Sequence, residues 1–178
     1  MNTNDFFLTL DKMFTEGKSP EEIDAFLCES LTKASEEKDY GAYVTIGNEM
    51  IGFYRSISQY DKCFQISEDT LMLMEELQLD GTEHFGTTLL NVATGYRAAG
   101  RLNESLSYYA RALQLYEQLL PPGDYRFAGL FNNISILLEQ LNDNEKAAIF
   151  LERALDIIDK IPEGASEQAS TRTNLALV

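Results

Sequence analysis

Apolar residues recur at i, i+3, i+4 and i+7 through most of the chain, and the strict alternation that marks a half-buried strand is absent, so the pattern predicts helices. Three of the four prolines fall between the helical stretches. Laying residues 43–80 over 85–122 and 127–163 brings the hydrophobic positions into register at a step of 42. Tyr43, Phe85 and Phe127 coincide, as do Tyr54, Tyr96 and Leu138, then Tyr60, Leu102 and Asn144, and finally Leu71, Leu113 and Leu155. Turn signals follow the same step. Gly81 and Gly123 close successive units, with Gly164 one residue early, and each is expected to supply a left-handed cap. A second break inside each unit falls at Ser58, Gly100 and Asn142. Each unit therefore reads as a helical hairpin.

Small residues mark where the two helices of a hairpin cross. Ala93 and Ser135 coincide on the first helix; Cys63, Ser105 and Ala147, then Thr70, Ala112 and Ala154, coincide on the second. A short side chain there lets the backbones approach. The division that follows is residues 1–38 as a divergent helical pair or cap, hairpins at 39–80, 81–122 and 123–163, and a lone helix at 164–178. In the first pair, helices over 4–15 and 20–37 are expected, the second opened by Ser19, Pro20 and Glu22 as a capping box. The last stretch repeats the first-helix pattern, Asn174, Leu175 and Ala176 matching Asn133, Ile134 and Ser135, and it serves either as a cap or as the start of a fourth repeat.

The stretch "LNVATGYRAAGRLNESLSYYARAL" at 90–113 resembles a tetratricopeptide repeat, with Leu89, Val92, Ala93, Tyr96, Gly100, Leu102, Ser105, Tyr109, Ala112 and Leu113 filling the signature places in order. Residues 131–155 match nearly as well. The hairpin at 47–71 departs by placing Gly47 at the bulky position and Ile51 at the small one, which predicts less regular packing there. A period longer than that family's usual one resembles the repeats of kinesin light chains and of bacterial peptide-pheromone receptors. The resemblance implies an all-α fold, a right-handed α-α superhelix (TPR solenoid) of antiparallel hairpins, whose first helices line a concave groove that binds peptides.

Composition narrows the function classes. With 14 basic and 29 acidic side chains the formal charge is −15, which repels phosphate backbones and anionic membrane surfaces. No nucleic acid and no membrane are expected as partners. The first residues lack the basic start and apolar core of a signal peptide, and no apolar run is long enough to span a bilayer, so a cytoplasmic protein is expected. Cys28 and Cys63 lack the paired spacing of a zinc site and read as inert; His84 has no evident nucleophile to serve. The reading is of no enzyme, no cofactor and no metal.

Turning Val92, Ala93 and Tyr96 toward the core leaves a second stripe on each first helix, and the resemblance places that stripe on the groove. It holds Thr45, Asn48, Gly52 and Arg55; then Thr87, Leu90, Asn91, Thr94 and Arg97; then Gly129, Asn132, Asn133, Ile136 and Glu139. An amide side chain both donates to and accepts from a peptide backbone, and in the peptide-binding members asparagines at the places of Asn91 and Asn133 hold the ligand's main chain. Arg55 and Arg97 fall one repeat apart and are candidates to clamp a carboxylate. Competing assignments are ion pairs of these arginines with Glu49 or Glu139, and asparagines that tie helix to helix. The candidate peptide site is accordingly Asn48, Arg55, Thr87, Asn91, Thr94, Arg97, Asn132 and Asn133. The function expected is a protein-protein interaction module binding a protein or peptide ligand, with a ligand carboxylate as one point of attachment. The alternative is a self-assembly segment associating through its terminal helices, the N-terminal part of a longer repeat protein such as a peptide-sensing regulator.

Overall fold

Among the described residues, seven in the left-handed region punctuate the chain and set the helix lengths: Gly17, Lys38, Ser58, Gln78, Gly100, Gly123 and Asn142, with φ between 55° and 94°. A computed structural model of the chain describes residues 2–160 and 165–176. Between these turns run α1 (Thr3–Thr15), α2 (Pro20–Glu36), α3 (Tyr40–Ser56), α4 (Tyr60–Glu76), α5 (Glu83–Ala98), α6 (Leu102–Leu119), α7 (Tyr125–Gln140) and α8 (Asn144–Ile158), followed by α9 (Ala165–Leu175). Among the described residues there is no strand. The chain divides into two compact units, residues 1–77 with α1 to α4 and residues 78–178 with α5 to α9.

Side chains that satisfy the first N–H groups start most of these helices. At α2 the Ser19 hydroxyl accepts from the Glu22 N–H at 3.2 Å while the Glu22 carboxylate accepts from the Ser19 N–H at 3.0 Å, the capping box expected from the sequence. Asp39, Thr82, Asp124 and Asp143 cap α3, α5, α7 and α8. The breaks at Ser58, Gly100 and Asn142 are all left-handed, whereas Gly81, expected to be, is not. Its role falls to Gln78, because α4 ends at Glu76 and the strained position is two residues on. Gly123 is left-handed at φ 94°, and Gly164 lies outside the described residues. Gly100→Ala is therefore expected to cost about 1–2 kcal/mol, the penalty for a Cβ in left-handed backbone. Gly81→Ala, with no atom near the added methyl, should cost little; urea unfolding of the two variants makes the comparison.

Matching repeat positions are buried together. Tyr54, Tyr96 and Leu138 are all core residues, and Cys63, Ser105, Ala147, Thr70, Ala112 and Ala154 are all fully inaccessible. Close approach at the crossing is visible in two hydrogen bonds of the same kind. Ser105 Oγ donates to the Ala93 carbonyl at 2.8 Å, and one repeat earlier Cys63 Sγ reaches the Ile51 carbonyl at 3.5 Å. The irregular first hairpin is reconciled by exchange of volume. A Cβ on Gly47 would stand 2.4 Å from Thr70 Oγ1, so Thr70 occupies the space that a bulky residue fills elsewhere. The register pairs Leu89 with Ala112 and Phe131 with Ala154 at this point, large facing small, whereas here the order is reversed.

Candidate protein-interaction surface

In the second unit α5 and α7, the first helices of two successive hairpins, touch each other as well as their own partners α6 and α8. Burial of Phe85, Leu89, Val92, Ala93 and Tyr96 on α5, and of Phe127, Phe131, Ile134, Ser135 and Leu138 on α7, leaves one stripe of each helix accessible. On α5 it carries Thr87, Leu90, Asn91 and Arg97; on α7 it carries Gly129, Asn132, Asn133, Ile136 and Glu139. Thr94 departs from the expected stripe. It is 6% exposed, and its hydroxyl lies 2.9 Å from the Tyr109 hydroxyl and 2.9 Å from the Leu90 carbonyl. The physical reason is Tyr109, whose buried phenol needs a polar partner inside the hairpin. Thr87 stays exposed, with its hydroxyl 3.0 Å from that of Tyr116; burial raises the Tyr116 phenol above its ordinary pKa.

The arginines separate into two groups. Arg101 pairs with Glu104 at 2.8 Å, and Arg172 with Asp159 at 3.2 Å. Arg126 forms a two-pronged pair with Asp124, 2.8 Å on each arm, and reaches Glu83 on the first turn of α5. Arg153 lies 4.1 Å over the Phe131 ring, and Arg111 lies over Phe85 and Tyr108. Arg55 and Arg97 have neither an acid nor a ring among the described residues, and the pairs with Glu49 or Glu139 weighed from the sequence are not made. Moreover the Arg97 Nε is buried with no hydrogen-bond partner. That nitrogen is a donor without an acceptor. Arg55 belongs to the first unit and Arg97 to the second.

The asparagines are partly committed. Asn48 and Asn133 donate from Nδ2 to the carbonyls of Val44 and Gly129 one turn back, both at 2.9 Å. Because a carbonyl only accepts, those bonds fix the amide with its oxygen turned away. Asn133 thus offers an acceptor rather than both halves of its amide. Asn132 does tie helix to helix, donating to Thr171 Oγ1 of α9 and to the Ala128 carbonyl at 3.0 Å each, while its own Oδ1 is buried and unpartnered. Asn91 is half-buried on the stripe.

Sequence reasoning missed one polar cluster, in the first unit. The Tyr54 hydroxyl donates to Asp24 at 2.5 Å, Lys62 Nζ meets the other oxygen of Asp24 at 2.8 Å, and the Cys28 thiol lies 3.8 Å from both Tyr54 and Asp24. Burial pushes the Asp24 carboxyl up, but the bonds from Lys62 and Tyr54 outweigh it and hold the group below its ordinary value. Burial, together with the Asp24 carboxylate, pushes the Tyr54 phenol well above its usual range. The cluster joins α2, α3 and α4. Its signal in the sequence was only that a core tyrosine needs an acceptor.

A tetratricopeptide-repeat family model matches residues 84–160, which covers α5 to α8. Two kinesin-light-chain-related proteins of Arabidopsis thaliana are similar: number 3 at 26% identity over 61% of this chain, and number 1 at 23% over 76%. Residues 84–160 are tetratricopeptide repeats, and the chain as a whole is similar to proteins of kinesin-light-chain type. The tetratricopeptide matches cover only 17% and 22% of those relatives' own lengths. Among solved structures, BtubC (BKLC) from P. vanneervenii superposes over 98% of this chain and 70% of that one, with a TM-score of 0.87 and 23% identity. A Podosopora anserina protein of kinesin-light-chain type with nearly identical TPR-like repeats superposes over 98% and 83%, with a TM-score of 0.77 and 11% identity. At those identities the likeness is one of fold, and it places the chain among the all-α tetratricopeptide solenoids. Among the described residues no helix is long and apolar enough to cross a membrane.

Proposed function

We propose that this chain binds an extended segment of another protein along the accessible stripe of α5 and α7, with Arg97 receiving a carboxylate of the ligand. Tetratricopeptide repeats of this type support protein interaction in general; the observation that carries the specific reading is Arg97, half-exposed on the stripe and with neither an acid nor a ring beside it among the described residues, in a protein of net charge −15. A charge-assisted hydrogen bond to a ligand carboxylate contributes about 1.5–3 kcal/mol. On the same stripe the Asn133 oxygen is left as an acceptor for a peptide N–H, and Ile136 and Leu90 supply apolar contact. The excess of acids argues for a protein partner over a polyanion. The test is a peptide array followed by affinity measurement on the hits, with wild type, Arg97→Glu, Asn133→Ala and the salt-bridged control Arg101→Glu. Arg97→Glu is expected to weaken the hits at least about tenfold, the equivalent of one such bond. Asn133→Ala should weaken them less, and Arg101→Glu should leave them unchanged. Equal binding by all four proteins would remove this surface from the account.

A further inference from the structure

Within the first unit, residues of α1, α2 and α3 line an open cavity of about 180 Å³, Gly52 of the expected first-helix stripe among them. Leu10 and Phe14 of α1, Leu27 of α2 and Phe53 of α3 form its apolar wall, and Glu49 of α3 is its one charged lining group. Residue 52 borders open space: a Cβ added there would meet no atom within 4 Å. Phe14 and Phe53 stand with ring centroids 6.5 Å apart, and Phe14 is 52% exposed, so one aromatic wall opens to solvent.

Glu49 is the unusual member. It has neither a hydrogen bond nor an ion pair among the described residues, although it is half-buried. Desolvation raises its carboxyl above the ordinary value, and the carboxylate of Asp11 on α1 raises it further. A carboxylate partly removed from water into an apolar pocket, with no hydrogen-bond donor to satisfy it, gains from a cation brought to it. Such a cation must arrive on an apolar stem to be compatible with the walls, and lysine and arginine side chains have that construction. Aromatic faces beside the path add attraction for the same charge.

We propose that this cavity is a socket for one basic side chain, arginine or lysine, of a protein segment bound to the first unit, its stem against Leu10, Phe14 and Phe53 and its charge at Glu49 with Asp11 at the mouth. The inference rests on the reading of the chain as a protein-interaction module and adds the class of side chain that the partner supplies. The net charge of −15 favours the approach of such a segment.

The socket is tested on the full chain with n-butylguanidinium and n-butylammonium ions as side-chain probes and n-butanol as the uncharged control, followed by amide NMR shifts at constant ionic strength. Saturable shifts of Gly52, Phe53 and Phe14 are expected with the two cations and not with the alcohol. Glu49→Gln should weaken cation binding at least fivefold. Gly52→Leu, which fills the cavity without a backbone clash, should abolish it while the remaining amide spectrum stays folded. Equal shifts with n-butanol, or unchanged cation affinity in Glu49→Gln, would overturn the proposal. Because the probes do not involve α5 or α7, a negative result here leaves the Arg97 comparison standing, and failure of the Arg97 comparison leaves this one interpretable.

Discussion

Replacing Tyr116 by alanine is expected to remove about 3–5 kcal/mol of folding stability, as deletion of a buried aromatic ring does. Tyr116 is 2% exposed and its ring lies directly over Gly86, where an added Cβ would come within 2.4 Å of Cε1. It also stacks edge-on against Phe127 with centroids 6.0 Å apart, so it joins α6 to both α5 and α7. Chemical denaturation followed by circular dichroism measures the loss. Tyr116→Phe, which removes only the bond to Thr87, should cost about 1 kcal/mol. The register places Ala128 and Ile158 where Gly86 and Tyr116 stand. The double variant Gly86→Ala with Tyr116→Ile recreates that pair and should recover part of what Tyr116→Ala loses. A loss under about 1 kcal/mol for Tyr116→Ala would contradict a packed ring at this site.

Gly47→Leu gives the second large effect, although it restores the residue type that the repeat signature prefers. Overpacking costs about 1–3 kcal/mol, and the upper end is expected here because Thr70 is β-branched, fully buried and cannot swing aside. Thr70 Oγ1 is already a buried hydroxyl without a hydrogen-bond partner, so Thr70→Ala removes a penalty as well as a side chain. Combining the two substitutions recreates the Leu89 and Ala112 arrangement. The double variant should be more stable than Gly47→Leu alone, and the non-additivity should exceed about 1 kcal/mol, as for residues in direct contact. Simple additivity would mean that the two positions do not share one space.

Turn chemistry and period were legible in the sequence because they are local. Ser58, Gly100 and Asn142 recur at a fixed step and are left-handed, and Ser19 with Glu22 caps α2 as their spacing requires. Gly81 misled because a glycine three residues beyond the turn looks the same in sequence as one in it, and the strained place is taken by Gln78. Gly47 read as irregular packing because its compensation, Thr70, lies on the next helix and is invisible to a signature read one helix at a time. The site was less legible still. The i, i+3, i+4 spacing put Thr94 on the accessible stripe, yet Tyr109 across the hairpin drew its hydroxyl inward.

The sequence by itself determined the helices, their hairpin pairing and the family of repeats, because helix period, capping and the size of crossing residues depend on neighbours a few positions away. Which polar groups remain uncommitted was decided only by the tertiary structure. Seven arginines look alike in the chain. Whether one is satisfied depends on which acids and rings the packed helices bring within a few ångströms of it, and that is how Arg126 becomes a strut while Arg97 is left with neither acid nor ring among the described residues.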